Sequence, residues 1–295
     1  MSDDVFPTAL PATVDADADA RALDTIARLD ARTPRESVDI DGCRVVFRRI
    51  GDGPPLLLLH GGHGSWLHWI RNIDALAAHH TLWLADMPGY GDSDAPEGAQ
   101  TLDLLVDVLG RAVDRLLGAD QPIDIAGFSF GGLCAATLSA RRTAVRKAAL
   151  LGPAGHGQAR RERLGMLDWK GLPPGDERDA RLRHNLAALM LHDEACIDPL
   201  ALALHRQSAV NTRFRSKGIS RRSALPQALD ALAERQVSVL LAWGEHDVTA
   251  VPSQVGPQLV AGVASRELVI VPNAGHWVQY EQPAVASRLL ADWFA

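Results

Sequence analysis

A serine lies in the middle of a glycine-rich segment that joins a predicted strand to a predicted helix. Ser129 is the centre of the pentapeptide Gly-Phe-Ser-Phe-Gly at 127–131, after the apolar run 123–126 and before the helix-like run 133–138. Flanking glycines permit the sharp, strained turn that exposes a serine hydroxyl at a helix N-terminus, where backbone N–H groups stabilise a developing anion. The pattern therefore predicts a nucleophilic serine. The alternative is a glycine-rich turn that contains a serine by accident.

A nucleophilic serine needs a base, and the base needs an acid that orients it. His276 follows the last predicted strand, and Asp247 follows the predicted strand before it. Loops at the carboxyl ends of parallel strands meet at one edge of the sheet, which is also the edge expected for Ser129. We therefore predict a catalytic triad in the chain order Ser129, Asp247, His276. Glu245 is the alternative acid.

An oxyanion hole requires backbone N–H groups that converge on one oxygen. Glycines after the apolar run 55–59 let the backbone approach a ligand closely, so the N–H of Gly62 is one candidate donor and that of Phe130 is the other. His60 and His63 in the same loop could instead indicate a metal site, but no further ligand accompanies them at suitable spacing. No glycine cluster matches a nucleotide-binding pattern. We therefore expect neither a metal nor another cofactor.

The elements that must position these residues alternate between strands and helices. Amphipathic spacing predicts a helix over 102–117, and a second predicted helix covers 132–142. Apolar runs predict the strands between the helices, and an antiparallel hairpin turning at Asp41-Gly42 comes before them. Such alternation specifies an α/β fold with a mostly parallel central sheet and helices on both faces. The strands after the hairpin are expected at 55–59, 81–85, 122–126, 147–151, 237–243 and 267–271.

The alternation stops after residue 155, and strand-like sequence returns only at residue 237. A helical block that interrupts a sheet is typical of an inserted cap. A separate helical domain is the less favoured alternative, because strands resume on its far side. The expected division is an N-terminal extension with a helix at 1–36, a core formed by 37–155 and 236–295, and a helical cap at 156–235.

Composition and charge restrict the class of partner. The 295 residues are 47% apolar and 22% charged, and a net charge of −6 without a long basic run argues against nucleic acid. Cys43, Cys134 and Cys196 follow no pairing or metal-binding pattern, which indicates reduced thiols in a cytoplasmic setting. The acidic start of the sequence is unlike a signal peptide, and no apolar run is long enough to span a membrane. A small-molecule substrate is expected, and the sequence does not decide between a monomer and a homodimer.

Five motifs, taken in order, make residues 37 to 295 resemble the α/β-hydrolase family. They are the oxyanion loop, a D-x-P-G-x-G-x-S segment, the turn around Ser129, the acid loop and the base, at residues 60–62, 86–94, 127–132, 244–247 and 275–276. The resemblance implies the α/β-hydrolase fold with an inserted cap and a serine hydrolase activity. It implies a structural rather than catalytic role for the D-x-P-G-x-G-x-S segment.

Within that family, the sequence is similar to the carbon–carbon bond hydrolases that cleave meta-ring-fission products of aromatic compounds. Segments 66–72 and 275–281 carry this similarity. It implies an arginine in the cap that binds a dienoate carboxylate, a role that Arg206 or Arg213 could fill. The alternative for these arginines is a solvated helix face.

Other residues are expected to contact the substrate or to alter its recognition. His63, Phe128 and Trp277 are predicted to line the pocket. Phe128 and Phe130 depart from the asparagine and methionine that are usual in carbon–carbon bond hydrolases. Phe128 cannot hydrogen-bond a keto-dienoate. The sequence therefore leaves two alternatives for the bond that is cleaved, an ester or an activated carbon–carbon bond.

The leading hypothesis is a serine hydrolase acting on a small, carboxylate-bearing substrate, with activity that falls as His276 becomes protonated. The first alternative keeps the triad and changes the reaction to cofactor-free perhydrolase or lyase chemistry. The second alternative is a receptor that retains the pocket for reversible ligand binding. An aspartate at the position of Ser129 would indicate epoxide hydrolase or haloalkane dehalogenase chemistry, so the serine disfavours both.

Overall fold

The computed structural model describes residues 15–161 and 164–295. The part of the predicted loose N-terminal end that precedes residue 15 lies outside the described residues. Eight strands form one sheet: β1 (Arg35–Ile40), β2 (Cys43–Ile50), β3 (Pro55–Leu59), β4 (Thr81–Asp86), β5 (Ile123–Phe128), β6 (Val145–Leu151), β7 (Ser238–Gly244) and β8 (Arg266–Val271).

The sheet is mostly parallel. Its strand order is β1-β2-β4-β3-β5-β6-β7-β8. Strand β2 runs antiparallel to both of its neighbours, β1 and β4, whereas every pairing from β4 to β8 is parallel. The carboxyl ends of β3, β5, β6, β7 and β8 therefore lie along one edge. The predicted α/β fold with a mostly parallel sheet is confirmed.

The hairpin between β1 and β2 turns where the sequence predicts it. Asp41 and Gly42 both have positive φ, 52° and 83°, as the tight two-residue turn of a hairpin requires. The N–H of Gly42 donates to Oδ1 of Asp39 at 3.0 Å. This hairpin adds two antiparallel strands at one margin of the sheet.

Helices cover both faces of the sheet. They are α1 (Ala16–Arg32), α2 (Ile73–Ala77), α3 (Leu102–Leu117), α4 (Phe130–Arg141), α5 (Asp176–Asn185), α6 (Pro199–Val210), α7 (Lys217–Ser220), α8 (Leu225–Glu234), α9 (Pro252–Val260), α10 (Val278–Glu281) and α11 (Pro283–Phe294). A 3₁₀ turn covers Trp66–Trp69, and a π-helical turn continues α5 over Leu186–Met190.

Alternate side chains of the central strands enter two separate hydrophobic clusters. Leu57 and Leu59 of β3 pack with residues of α3, α4 and α8, whereas Leu56 and Leu58 pack with residues of α1, α2 and α11. All four leucines are fully buried. Burial on both faces explains why β3 is continuously apolar in sequence.

The chain between β6 and β7 forms α5 to α8, and within its described part an isolated bridge between His156 and Ser223 is the only β-type pairing. Helix α8 packs on α4, beside the sheet, and α6 packs on α1. Because α8 joins the layer that covers the sheet, the cap boundary at 156–235 stays a prediction. No helix among the described residues combines the length and apolar character needed to cross a bilayer.

Helix α1 is a regular amphipathic helix attached to the rest of the molecule. The carboxylate of Asp15 accepts hydrogen bonds from the N–H groups of the first turn, which is the usual N-terminal cap. Ala22, Ile26 and Leu29 form its buried face. The predicted helix at the N-terminus is therefore present, and its apolar stripe contacts the same cluster as β3.

Candidate active site

Ser129 lies between β5 and α4 with a strained backbone. Its φ of 54° and ψ of −117° are unfavourable for a residue with a side chain. Hydrogen bonds hold the turn in place: the N–H of Ser129 donates to the carbonyl of Leu151, and its carbonyl accepts from the N–H groups of Gly132 and Ala154. Three elements therefore fix a serine whose side chain lines a cavity.

Two glycines around Ser129 are required by close backbone contacts. A Cβ atom on Gly127 would lie 2.3 Å from the carbonyl oxygen of Gly131, and one on Gly131 would lie 2.2 Å from the carbonyl oxygen of His60. Both distances are too short for any side chain. The glycines thus let the turn approach the loop after β3.

The three predicted triad residues form one hydrogen-bonded chain. His276 Nε2 lies 2.9 Å from Ser129 Oγ, and His276 Nδ1 lies 2.8 Å from Asp247 Oδ2. Asp247 and His276 follow β7 and β8, at the sheet edge expected for them. Glu245, the alternative acid, instead accepts a hydrogen bond from the N–H of Asn273 and is half exposed.

Asp247 is bound at both carboxylate oxygens. Its Oδ1 accepts from the N–H of Thr249 at 2.7 Å and from the Thr249 hydroxyl at 2.8 Å. Burial by itself would raise the pKa of Asp247, but the charge of His276 and the hydrogen bonds from His276 and Thr249 lower it overall. Thr249 was not predicted, although a hydroxyl residue two positions after an aspartate is a recognisable turn pattern.

Two backbone N–H groups are available for an oxyanion. Phe130 is the first residue of α4, so its N–H has no partner within the helix. Among the described residues, no protein acceptor binds the N–H of Gly62. Both residues line the cavity together with Ser129. A Cβ on Gly61 would lie 3.2 Å from the Cβ of Ser129, which places the loop directly beside that serine.

The cavity above Ser129 has a volume of about 350 Å³ and is lined by residues that follow several strands of the sheet and by residues of the segment between β6 and β7. His63 and Phe128 line it, as the sequence predicts. Leu164, Met166, Leu189 and Met190 also contribute apolar side chains to its wall. These side chains belong to the segment between β6 and β7. The sequence did not indicate which residues of this segment line the pocket.

Three cationic residues also line this cavity: Arg160, Lys217 and Arg221. They come from the same segment between β6 and β7. An apolar cavity with a few charged groups near the reacting atoms is typical of a small-molecule site.

The two arginines that the sequence proposed for substrate binding do not line this cavity, which corrects that prediction. Arg206 binds Asp179 at 2.8 and 2.9 Å and Asp19 at 3.2 Å. Arg213 donates to the backbone carbonyls of Gly91 and Ser93. Acceptors from distant parts of the chain hold both guanidinium groups.

Trp277 does not line the cavity either. Its indole N–H donates to the carbonyl of His68 at 3.0 Å, its ring stacks on Tyr280 at 4.2 Å, and it is almost fully buried. Trp277 therefore links the loop of the base to the segment after β3. The prediction of substrate contact is wrong because adjacent residues in this loop point into different environments.

His60, weighed above as a metal ligand, uses both ring nitrogens within the protein. Its Nδ1 contacts the carbonyl oxygen of Gly61 at 2.8 Å, and its Nε2 accepts from the N–H of Met87 at 3.0 Å. Within residues 15–161 and 164–295, no group of three or more His, Cys, Asp or Glu side chains is arranged to hold a metal ion.

Known proteins share this fold. Residues 54–283 match a family profile described as the alpha/beta hydrolase fold. The 2-hydroxy-6-oxo-6-phenylhexa-2,4-dienoate hydrolase of Burkholderia cepacia is 30% identical over 271 residues, which are 85% of this chain and 91% of that protein. The 2-hydroxymuconate semialdehyde hydrolase of a Pseudomonas species is 27% identical over 267 residues, 86% of this chain and 91% of the relative.

Solved structures share the fold at lower identity. A meta-cleavage product hydrolase from Pseudomonas fluorescens superposes with a TM-score of 0.70 at 23% identity and covers 90% of this chain and 98% of its own. Naproxen esterase from Bacillus subtilis gives a TM-score of 0.73 at 21% identity and covers 97% and 100%. Relatives and structural neighbours are thus hydrolases of two kinds. The chain belongs to the α/β-hydrolase family.

Proposed function

We propose that this hydrolase uses Ser129 as a covalent nucleophile on the carbonyl group of a small, carboxylate-bearing substrate. The observation that supports the proposal is the continuous hydrogen-bonded chain from Asp247 through His276 to Ser129, whose side chain lines the cavity of about 350 Å³. The bond cleaved is an ester or an activated carbon–carbon bond.

In the first half of the reaction, Ser129 Oγ attacks the carbonyl carbon and passes its proton to His276 Nε2. Asp247 holds the imidazole in the tautomer with Nδ1 protonated and stabilises the imidazolium. The N–H groups of Gly62 and Phe130 bind the oxyanion, and the loss of one such donor costs about 3 kcal/mol of transition-state stabilisation. The leaving group departs with the proton from His276 Nε2.

In the second half, water attacks the acyl group on Ser129. His276 takes a proton from that water and returns it to Ser129 Oγ as the acid product leaves. The proton that His276 gives to the leaving group binds to carbon when a carbon–carbon bond is cleaved and to oxygen when an ester is cleaved. The triad can therefore cleave either bond. The same residues thus act in both halves without a cofactor in either step.

The preference for an anionic substrate is inferred from the cations of the cavity. Arg160, Lys217 and Arg221 line the same space as Ser129 and His276. Charged hydrogen bonds from such groups favour a carboxylate. The dienoate hydrolases among the relatives act on acids, as their names state. Phe128 beside Ser129 gives the acyl end of the pocket an aromatic, non-polar wall.

A fluorophosphonate probe and the Ser129→Ala variant test the nucleophile. We expect the probe to label Ser129 in the wild type, and the variant to lose both labelling and turnover while its circular dichroism spectrum is unchanged. Substrates for the assay are matched esters and a dienoate, each prepared as the free carboxylate and as the neutral methyl ester. Full turnover by Ser129→Ala would refute the proposal.

Lys217→Gln tests the substrate charge. We expect KM to rise about tenfold for the carboxylate substrate, because a charge-assisted hydrogen bond is worth about 1.4 kcal/mol or more. The matched neutral ester is expected to keep its KM in this variant. Equal changes for the two substrates would contradict an anion-selecting cavity and leave the role of Ser129 untouched.

A further inference from the structure

The peptide group on each side of Gly61 is held by a different buried histidine. His60 Nδ1 donates to the carbonyl oxygen of Gly61 at 2.8 Å, and the N–H of Gly61 donates to His68 Nδ1 at 3.1 Å. Both imidazoles are buried, and neither lines the cavity. The N–H of Gly64 also donates to the Gly61 carbonyl, at 3.2 Å.

These contacts fix the direction of the Gly62 N–H. The carbonyl of Gly61 and the N–H of Gly62 belong to one planar peptide group, and in a trans peptide they point in opposite directions. Hydrogen bonds that hold the carbonyl on the side of His60 therefore turn the N–H of Gly62 away from that histidine. Gly62 lines the cavity beside Ser129, which is the side where the oxyanion forms.

The two histidines serve as neutral rings in opposite tautomers. His60 Nε2 accepts from the N–H of Met87, so its proton lies on Nδ1. His68 accepts at Nδ1, so its proton lies on Nε2. Burial lowers the pKa of His60 to about 4. Burial is the main cause that lowers the pKa of His68 well below its ordinary value, and repulsion between a protonated His68 and the other histidines around it acts in the same direction.

The ring of His68 is confined by its neighbours. It meets Phe128 edge to face at 5.4 Å and Trp277 at 4.8 Å. A Cβ on Gly64 would lie 2.2 Å from His68 Cε1, so only glycine leaves room for the ring. The backbone carbonyl of His68 accepts from the indole of Trp277. His68 thus joins the oxyanion loop to the residues beside Ser129 and His276.

We propose that His68 is a positioning residue that, together with His60, holds the Gly61-Gly62 peptide in the orientation that binds the oxyanion. It acts through the backbone N–H of Gly62 and does not touch the substrate. The inference rests on the proposed function, because it assigns a role within the same reaction. We therefore expect His68 to stabilise the transition state, and so to affect kcat, without changing substrate binding.

A matched pair of variants tests the role of His68. In His68→Asn the side-chain carbonyl reaches the position of Nδ1 and can accept from Gly61, whereas in His68→Gln the amide lies one bond further out. We expect His68→Gln to lower kcat on the order of 30-fold, less than the loss of a whole oxyanion donor, with KM within about threefold. His68→Asn is expected to stay within about threefold of the wild-type kcat.

Inhibitor binding separates positioning from general damage. A trifluoromethyl ketone analogue forms a tetrahedral adduct with Ser129, so its Ki is expected to rise in His68→Gln by the factor by which kcat falls. The affinity for the carboxylic acid product is expected to be unchanged. Trp277→Phe, which removes the hydrogen bond to the His68 carbonyl, is expected to give a smaller loss with the same pattern.

Equal kcat values for His68→Gln and His68→Asn, or equal losses of affinity for the ketone and for the product, would overturn the inference. Thermal unfolding of each variant shows whether a loss of kcat reflects a loss of folded protein. Failure of the proposed function is distinguishable, because wild-type protein would then neither react with the fluorophosphonate nor depend on Ser129 for turnover.

Discussion

The carboxylate of Asp247 is oriented from two sides, and this is a property of single residues. His276 binds one oxygen at 2.8 Å, and the backbone and hydroxyl of Thr249 bind the other at 2.7 and 2.8 Å. A carboxylate with both oxygens occupied cannot rotate, so it presents one lone pair to the imidazole. Thr249 therefore helps to orient His276 through Asp247.

We predict that Thr249→Val lowers kcat about tenfold, since a hydrogen bond to a charged group contributes about 1.5 kcal/mol or more. Thr249→Ser keeps the hydroxyl and is the control. Because the lost bond helps to lower the pKa of Asp247, the valine variant protonates this carboxyl at a higher pH. The measurement is kcat of both variants near neutral pH, where Asp247 is ionised. Equal losses in the serine and valine variants would contradict this account.

At the scale of elements, one guanidinium group joins three helices. Arg206 of α6 binds Asp19 of α1 and Asp179 of α5, and all three side chains are about four-fifths buried or more. Ion pairs in such a setting contribute more than exposed pairs, because water screens them less. The N-terminal helix is thereby attached to α5 and α6 in the segment between β6 and β7.

We predict that Arg206→Gln lowers the free energy of unfolding by about 1–2 kcal/mol and leaves KM unchanged. The stability is measured by urea unfolding, and KM with the carboxylate substrate. Arg28→Gln is the matched control, because its pair with Asp24 is exposed and within one helix. A large rise of KM in Arg206→Gln would restore Arg206 as a substrate-binding residue.

At the scale of the whole molecule, buried ionisable groups set the response to pH. Burial lowers the pKa of His60 to about 4, so the unfolded chain binds more protons than the folded chain between about pH 6.5 and pH 4. This group therefore costs stability as pH falls through that range. Burial raises the pKa of Asp86 to about 6, so Asp86 adds stability as pH falls from about 6.

We predict that the protein loses stability from pH 7 to pH 5, and that Asp86→Asn loses it more steeply. Each proton difference changes the free energy of unfolding by about 1.4 kcal/mol per pH unit. His68, whose pKa is also lowered, acts in the same direction as His60. Urea midpoints at pH 7, 6 and 5 measure the slopes. An equal or shallower slope in the variant would contradict the role assigned to Asp86.

Local signals in the sequence were sufficient for most of the fold. Helix α3 covers Leu102–Leu117 as predicted, because Thr101 caps it and its apolar spacing is regular. Strand β5 continues two residues beyond its predicted end, because Gly127 and Phe128 still pair with β3 and β6. In sequence, a glycine close to a serine indicates a turn, so the strand was expected to end before Gly127. Pairing with the neighbouring strands, which the local sequence does not show, extends it.

Long-range contacts decided what the sequence could not predict in the site. The order of Ser129, Asp247 and His276 along the chain was readable because strand ends share one edge. The ion pair between Arg206 and Asp19 could not be predicted, because the two residues lie 187 positions apart in the chain. His68 lies within the segment 66–72, but that segment does not indicate that its ring accepts a hydrogen bond from a backbone N–H seven residues earlier in the chain. Which residues of the segment between β6 and β7 line the cavity depends on helix packing that spacing does not encode.

The thiols of the molecule have a practical consequence for inhibitor chemistry. Cys43 and Cys134 are buried and Cys196 is half-buried, and all three are free. Burial raises the pKa of each thiol, so the reactive thiolate form is scarce near neutral pH. Maleimides and mild oxidants should therefore leave the enzyme active. Inactivation by an electrophile that acylates both alcohols and thiols can then be attributed to the serine.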